Sequence, residues 1–448
     1  MPLAYPIISA LAILGLASCS KEESTETSET ASRGDAPALV PIEAVNTSPT
    51  GMAGVSRSPT FPRLNATGDQ IFFEGYGKDP GGQFTKDFFI SKSDRSVELI
   101  SLSPQGQPAF FPARDTAEIP QRQGFDTAMD ALGNRVAFEA FHSLVASGDG
   151  AHVNLFVRSR ETAAPFQISL TPEGKEPNGH SVLPFMSGNG ECLAFISGAT
   201  DLVAGDLNGQ ADAFLYSIRS GKLFLLTNYA SQSPIPGEAK SVSLSSDCKT
   251  ASLYADDSLW LMPLDGTGEK VNVTSRTALA DSSGELNYYG GQSALDAQGR
   301  RLAFTALSSG VSQIFLWDRD TGIAELVSHT PNGEPGDGDS VTPSLSEDGR
   351  FVAFDSSASN LVEKDTNQQR DVFVYDRRSK KLSRVSVGLH GEEGEEISTL
   401  PHLSGNGGYV VFVSKNRRGF PPPASGDDPS SAPPTRLFRV GLDYFFGN

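Results

Sequence analysis

Two stretches of the chain repeat one spacing of oxygen-bearing side chains. Residues 360–371, NLVEKDTNQQRD, align with residues 201–212, DLVAGDLNGQAD. Each contains D-x-N-x-x-x-D: Asp365, Asn367 and Asp371 in one, Asp206, Asn208 and Asp212 in the other. Oxygens at alternating positions of a turning loop suit a hard cation such as Ca2+. They equally suit a loop whose Asp and Asn side chains accept nearby backbone N–H groups and shape the turn. The Glu that completes an EF-hand and its fixed Gly are both missing, which favours the turn. A third stretch, residues 144–154 (LVASGDGAHVN), keeps Leu144-Val145 and ends in Asn154, but its Asp149 is shifted by one.

Other chemistry-bearing residues are scattered. The six histidines show no H-E-x-x-H or comparable metal-ligand spacing. The chain has no G-x-S-x-G elbow, no Cys in a catalytic signature and no phosphate-cradling Gly loop. No catalytic residue is assigned. His180 and His402 stand out by position, yet a structural hydrogen bond suits each better than the role of a base. Residues 388–398, GLHGEEGEEIS, carry Glu392, Glu393, Glu395 and Glu396. With Glu334, Asp337 and Asp339 they could form an acidic rim for cationic partners. A solvated charge run is the plainer account.

These residues sit on a repeating frame. Residues 345–378, LSEDGRFVAFDSSASNLVEKDTNQQRDVFVYDRR, hold two apolar strands, FVAF and DVFVYD, followed by a third, LSRVSV. TPSLS precedes them. Asp348-Gly349 marks a tight turn, since Gly readily takes positive φ. The same order recurs around Gly68-Asp69, Gly133-Asn134, Asn189-Gly190, Asp247-Cys248, Gln298-Gly299 and Asn406-Gly407. Seven copies spaced roughly 50–65 residues apart, with four strands each, predict an all-β, seven-bladed β-propeller of four-stranded antiparallel blades.

The last copy lacks its outer strand. Residues 38–51, ALVPIEAVNTSPTG, read like residues 324–336, AELVSHTPNGEPG. Residues 39–45, from Leu39 to Val45, are therefore expected to supply that strand and close the ring. The first strand of four copies begins SPTFP, SVLP, SVTP or STLP, placing Pro62, Pro184, Pro343 and Pro401 near the channel mouth, where a missing N–H costs least. The next residues, Arg63, Phe185, Ser344 and His402, are candidates to line the channel and bind there. Loops between second and third strands are long in some copies and short in others, so part of that face is raised. A Pro-rich insert, RGFPPPASGDDPSSAPPT, adds to it with expected polyproline II character.

The net charge of −18 disfavours a nucleic-acid partner, because a phosphate backbone is bound by clustered Lys and Arg. The apolar stretch LAYPIISALAILGLAS is short for a membrane span and ends in small residues before Cys19. Leu16-Ala17-Ser18-Cys19 resembles the lipobox of bacterial lipoproteins. The resemblance implies a signal peptide over residues 1–18, lipidation of Cys19 and anchoring at the bacterial cell envelope, on the periplasmic face of the outer membrane or the cell surface. Residues 19–37 are almost devoid of apolar side chains and are expected to form a disordered tether ahead of a propeller over residues 38–448. In an oxidising compartment Cys192 and Cys248 could pair as a disulfide or remain two separate buried thiols.

The repeat SEDGRFVAF…SNLVEKDTNQQRDVFVYDRR resembles the WD-like β-propeller repeat of the TolB-like family, over roughly residues 58–443. That resemblance implies a periplasmic or cell-surface propeller that binds proteins or ligands; the chain is further expected to be a monomer, with the lipobox, not this resemblance, supplying the membrane anchor. The alternative is a propeller hydrolase or lyase using acidic residues in the central funnel. No cofactor is required by either reading, with Ca2+ open at the two loops.

Overall fold

The computed structural model describes residues 39–45, 58–78, 84–101, 111–112, 127–141, 151–160, 162, 164–228, 234–266, 268–276, 293–421 and 435–447. Cys19, the tether, Asp149 and most of the Pro-rich insert lie outside the described residues.

Seven antiparallel sheets follow one another along the chain. Blade 1 contains Ser58–Leu64, Gln70–Lys78, Phe84–Lys92 and Val97–Leu99, and blade 2 contains Thr127–Met129, Arg135–Phe141, Val153–Ser159 and Phe166–Gln167. Blade 3 contains Ser181–Met186, Cys192–Ser197, Asp212–Ser217 and Lys222–Leu225. Blade 4 contains Ala239–Leu244, Thr250–Ala255, Ser258–Pro263 and Val271–Asn272. Blade 5 contains Ser293–Leu295, Arg301–Ser308, Val311–Asp318 and Ile323–Leu326. Blade 6 contains Ser340–Leu345, Phe351–Ser356, Asp371–Asp376 and Lys381–Arg384. Blade 7 contains Ser398–Leu403, Tyr409–Ser414 and Arg436–Gly441, and takes Ile42–Ala44 as its outer strand. Within each blade the strands are called a to d from the inside outward.

The closing strand pairs Ile42 with Val440 and Ala44 with Phe438. It is shorter than residues 39–45; beyond it, the Val40 and Val45 N–H groups donate to the carbonyls of Leu389 and Leu437. Blade 1 departs from the four-strand plan: Phe111–Pro112 pairs with the beginning of strand c.

Burial explains why these runs form strands. Strands b and c of blade 6 are buried at every residue, as is strand b of blade 3, so both sheet faces are covered. The covering comes from neighbouring blades. Val374 of blade 6 packs with Phe412 and Val440 of blade 7, Phe195 of blade 3 with Val157 of blade 2, and Leu437 of blade 7 with Phe73 of blade 1. In six blades a Phe of strand b lies opposite a Phe of strand c, as in Phe195–Phe214 and Phe354–Phe373, with centroids 5.5 and 5.7 Å apart. Blade 4 substitutes Leu253 opposite Trp260.

A ring of backbone hydrogen bonds also joins the blades. At each a–b turn an N–H reaches the corresponding turn of a neighbouring blade. The bonds run Ala66→Ala131, Ala131→Gly188, Asn189→Ser246, Asp247→Ala297, Ala297→Glu347, Glu347→Gly405 and Asn406→Ala66, at 2.7–3.2 Å. The seventh returns to blade 1. The face of tight turns is thus closed by a complete ring of main-chain bonds.

Candidate functional site

The channel is lined by strand a of every blade, through Leu64, Ala128, Phe185, Leu244, Leu295, Leu345 and Leu403. Four of these strands contain the same irregularity. Phe61, Leu183, Thr342 and Leu400, each just before a proline, have φ of 47–57°. One extra residue interrupts the register at each of these positions. A left-handed non-glycine residue costs about 1–3 kcal/mol. The bulge it creates re-aims the following side chain.

Arg63, Phe185, Ser344 and His402 all line one lobe of the channel, of about 100 Å³. A second lobe, of about 110 Å³, extends towards the a–b turns and shares Arg63, Phe185 and His402. Three of the four side chains clip blades together. The Arg63 Nε–H donates to the Thr127 carbonyl at 3.1 Å, the Leu64 N–H to His402 Nδ1 at 3.1 Å, and the Leu403 N–H to Ser344 Oγ at 3.0 Å. Burial lowers the Arg63 pKa to about 9. Burial, with the charge of Arg63 adding, pushes His402 well below its ordinary value, so its neutral ring accepts at Nδ1. His180 behaves alike, accepting the Val153 N–H at 2.9 Å.

At the outer edge of the opposite face, the two D-x-N-x-x-x-D loops adopt related frames. Leu202 and Leu361 bury one end of each loop. Asn208 accepts the Gln210 N–H at 2.9 Å, and Asn367 the Gln369 N–H at 2.7 Å. The asparagines therefore shape turns. Asp212 and Asp371 open strand c and accept a hydroxyl from strand d, from Thr227 and Ser386. The same bond recurs in blade 1 from Ser101 to Asp87, in blade 2 from Ser169 to Asn154, and in blade 5 from Ser328 to Gln313.

In blade 6 this frame gathers three carboxylates, Asp365, Asp371 and Glu393, with one oxygen of each within 4.8 Å of the others. Between them lies Nη1 of Arg384, at 3.3, 3.5 and 2.6 Å. Glu393 also accepts the Thr366 N–H and hydroxyl at 2.8 and 2.6 Å, tying the b–c loop to the crossing into blade 7. Burial raises the Asp365 pKa to about 6 against the pull of Arg384. Burial also acts to raise Glu393, but the Thr366 and Arg384 bonds prevail and hold it at about 2. The place a cation would take is filled by the protein's own guanidinium. Arg384, absent from the candidate residues read in the sequence, could have been found by aligning KLSRVS with KLFLLT, where it falls against Leu225.

Much of the acidic run acts within the scaffold. Asp337 accepts the Ser359 N–H, Asp339 the Ser312 N–H and Glu392 the His390 N–H, while Glu395 pairs with Arg418. Cys192 and Cys248 are joined as a disulfide between blades 3 and 4, with Cα atoms 6.0 Å apart. Among the described residues no helix is long and apolar enough to cross a membrane.

No protein-family model matches the chain, and no curated protein matches it. Solved structures similar to it include an oligogalacturonate lyase from Vibrio parahaemolyticus, at 11% identity and TM-score 0.48, covering 90% of this chain and 97% of that one. The β-propeller domain of the Trilobed protease from Pyrococcus furiosus is similar at 8% identity and TM-score 0.47, covering 82% and 93%. TolB from Acinetobacter baumannii is similar at 13% identity and TM-score 0.37, covering 84% and 81%. None of the three carries an activity over to this chain.

Proposed function

We propose that this chain is a binding module of the bacterial cell envelope, held there by lipid on Cys19, which seats a protein or ligand on its loop-rich face. The observation that supports this reading is the relief of that face. Blades 4 and 5 join strands b and c by two-residue hairpins, Asp256-Asp257 and Ser309-Gly310, all at positive φ. Blades 3 and 6, on either side, carry the long loops. The result is a saddle two blades wide between raised flanks. Leu207 on the blade 3 flank is 91% exposed. Loops on a rigid scaffold are the usual place for recognition.

The test is photo-crosslinking in intact cells. A crosslinker at Leu207 or Ser309 is expected to give the same partner adduct, and one at Ile323, on the opposite face and 66% exposed, to give none. Insertion of several residues between Asp256 and Asp257 should fill the saddle and abolish the adduct. Equal labelling from Ile323, or an adduct indifferent to the insertion, would overturn the reading. Cys19→Ser should move the chain out of the membrane fraction; retention there would remove the lipid anchor from it.

A further inference from the structure

The blade 3 loop repeats the blade 6 arrangement without its cation. Asp206 and Asp212 occupy the positions of Asp365 and Asp371 in the aligned loops. Arg384 lies opposite Phe373 on strand d; the residue lying opposite the matching Phe214 is Leu225. Asp206 is 4% exposed and Asp212 1%. No hydrogen bond of good geometry reaches either carboxylate oxygen of Asp206, or Oδ2 of Asp212, among the described residues; the Asn208 N–H and the Asp212 carboxylate act on Asp206 from close by. An orphaned buried carboxylate loses its hydration without compensation, and such groups are ordinarily paired or bound to metal. Burial and the neighbouring Asp212 both raise the Asp206 pKa. Two carboxylates held together cannot both ionise unless a positive charge joins them.

We infer that blade 3 binds one hard divalent cation, Ca2+ being the best match, between the carboxylates of Asp206 and Asp212, at the place that the Arg384 guanidinium fills in blade 6. Two lines carry this independently of the proposed docking face: the orphaned buried oxygens, and a positive group seated in the matching frame. Carboxylate oxygens select a hard ion, and a site of this kind completes its shell with carbonyls and water.

The full chain is stripped with chelator and titrated with Ca2+ near neutral pH, reading bound ion by equilibrium dialysis and the melting temperature in parallel. One Ca2+ per chain is expected, with melting raised by about 3 °C when Ca2+ exceeds Kd a hundredfold. Asp206→Asn should weaken binding at least tenfold. Leu225→Arg should abolish it, while melting without Ca2+ at or above the temperature of the parent chain. Asp365→Asn should leave binding unchanged. Absence of binding by Ca2+, Mg2+ or Mn2+ up to roughly 10 mM would mean that the two carboxylates share a proton instead, and would overturn the site. Binding that survives Leu225→Arg, or disappears in Asp365→Asn, would do the same by placing the ion elsewhere.

Discussion

Blades 3 and 6 fold related loops onto the same frame and balance its charge differently. In blade 6 a strand d arginine pairs with Asp365, Asp371 and Glu393 and offsets part of their charge. In blade 3 a leucine stands at that position and the carboxylates of Asp206 and Asp212 face burial without it. Blade 2 offers a third arrangement. Asn154 replaces the aspartate, and its amide donates to Glu176 at 3.1 Å. The backbone frame therefore dictates only that an oxygen opens strand c to receive the strand d hydroxyl. What neutralises the surrounding acid is decided by one or two further side chains.

The strongest way to break this comparison is Arg384→Leu, which gives blade 6 the side chain of blade 3. Three carboxylates would lose the one cation they share among the described residues. Removing one side of a buried ion network costs about 3–5 kcal/mol, because the charges left behind have no compensation. Urea unfolding should register that loss. A cost under about 1 kcal/mol would mean that the carboxylates shed their charge by protonation and that Arg384 contributes little.

A smaller effect distinguishes blade 3 by its staple. The Cys192–Cys248 disulfide closes a segment of 56 residues and ties blade 3 to the a–b turn of blade 4. Removing such a bond costs about 2–4 kcal/mol. Cys248 sits at φ 60°, a position held by glycine in the a–b turns of the other six blades. Cys248→Gly should therefore lose the staple but relieve the left-handed backbone, ending about 1 kcal/mol more stable than Cys248→Ala. Thermal unfolding of both variants against Cys192→Ala measures the two contributions separately. Equal stability of the Gly and Ala variants would mean the turn relaxes once the bond is cut.

The ring was legible because side-chain types encode it: paired Phe strands, turn dipeptides and a terminal segment resembling an internal one. The pairing of Ile42–Ala44 into blade 7 followed from that similarity alone. The strand a bulges were not legible. Their left-handed residues are Phe61, Leu183, Thr342 and Leu400, and no glycine announces them. Pro62 and its equivalents pointed to the channel mouth, and Pro184 and Pro343 do line the channel, but the prolines alone did not disclose the left-handed residue that precedes each. The seven-bond ring at the a–b turns involves only main chain, so it leaves no trace in residue type. Arg384 escaped because it lies 13 residues from Asp371, and only strand register brings them together.

The smallest expected effect is one of pH, and it tests whether blade 6 is fully neutralised by its arginine. With a folded pKa of about 6 against an ordinary 3.8, Asp365 takes up its proton earlier in the folded chain than in the unfolded one. Its ionised form therefore costs stability above about pH 6, and that cost disappears as pH falls from 6 towards 4. Glu393 and Asp376 work in the opposite sense. Both are held at about 2, so each contributes stability above its unfolded value that is lost as pH drops towards 2. The groups facing Asp365 are Asp371, Glu393 and Arg384; Glu393 is held low, while burial raises Asp371 as it does Asp365, so the two aspartates share this window. Asp365→Asn should accordingly melt above the parent chain at pH about 7.5, with the gap roughly halved by pH about 5 and closing only towards pH about 4. A gap that stays constant across this window would mean that Asp365 keeps an ordinary pKa, its ion pair with Arg384 offsetting the whole cost of its burial.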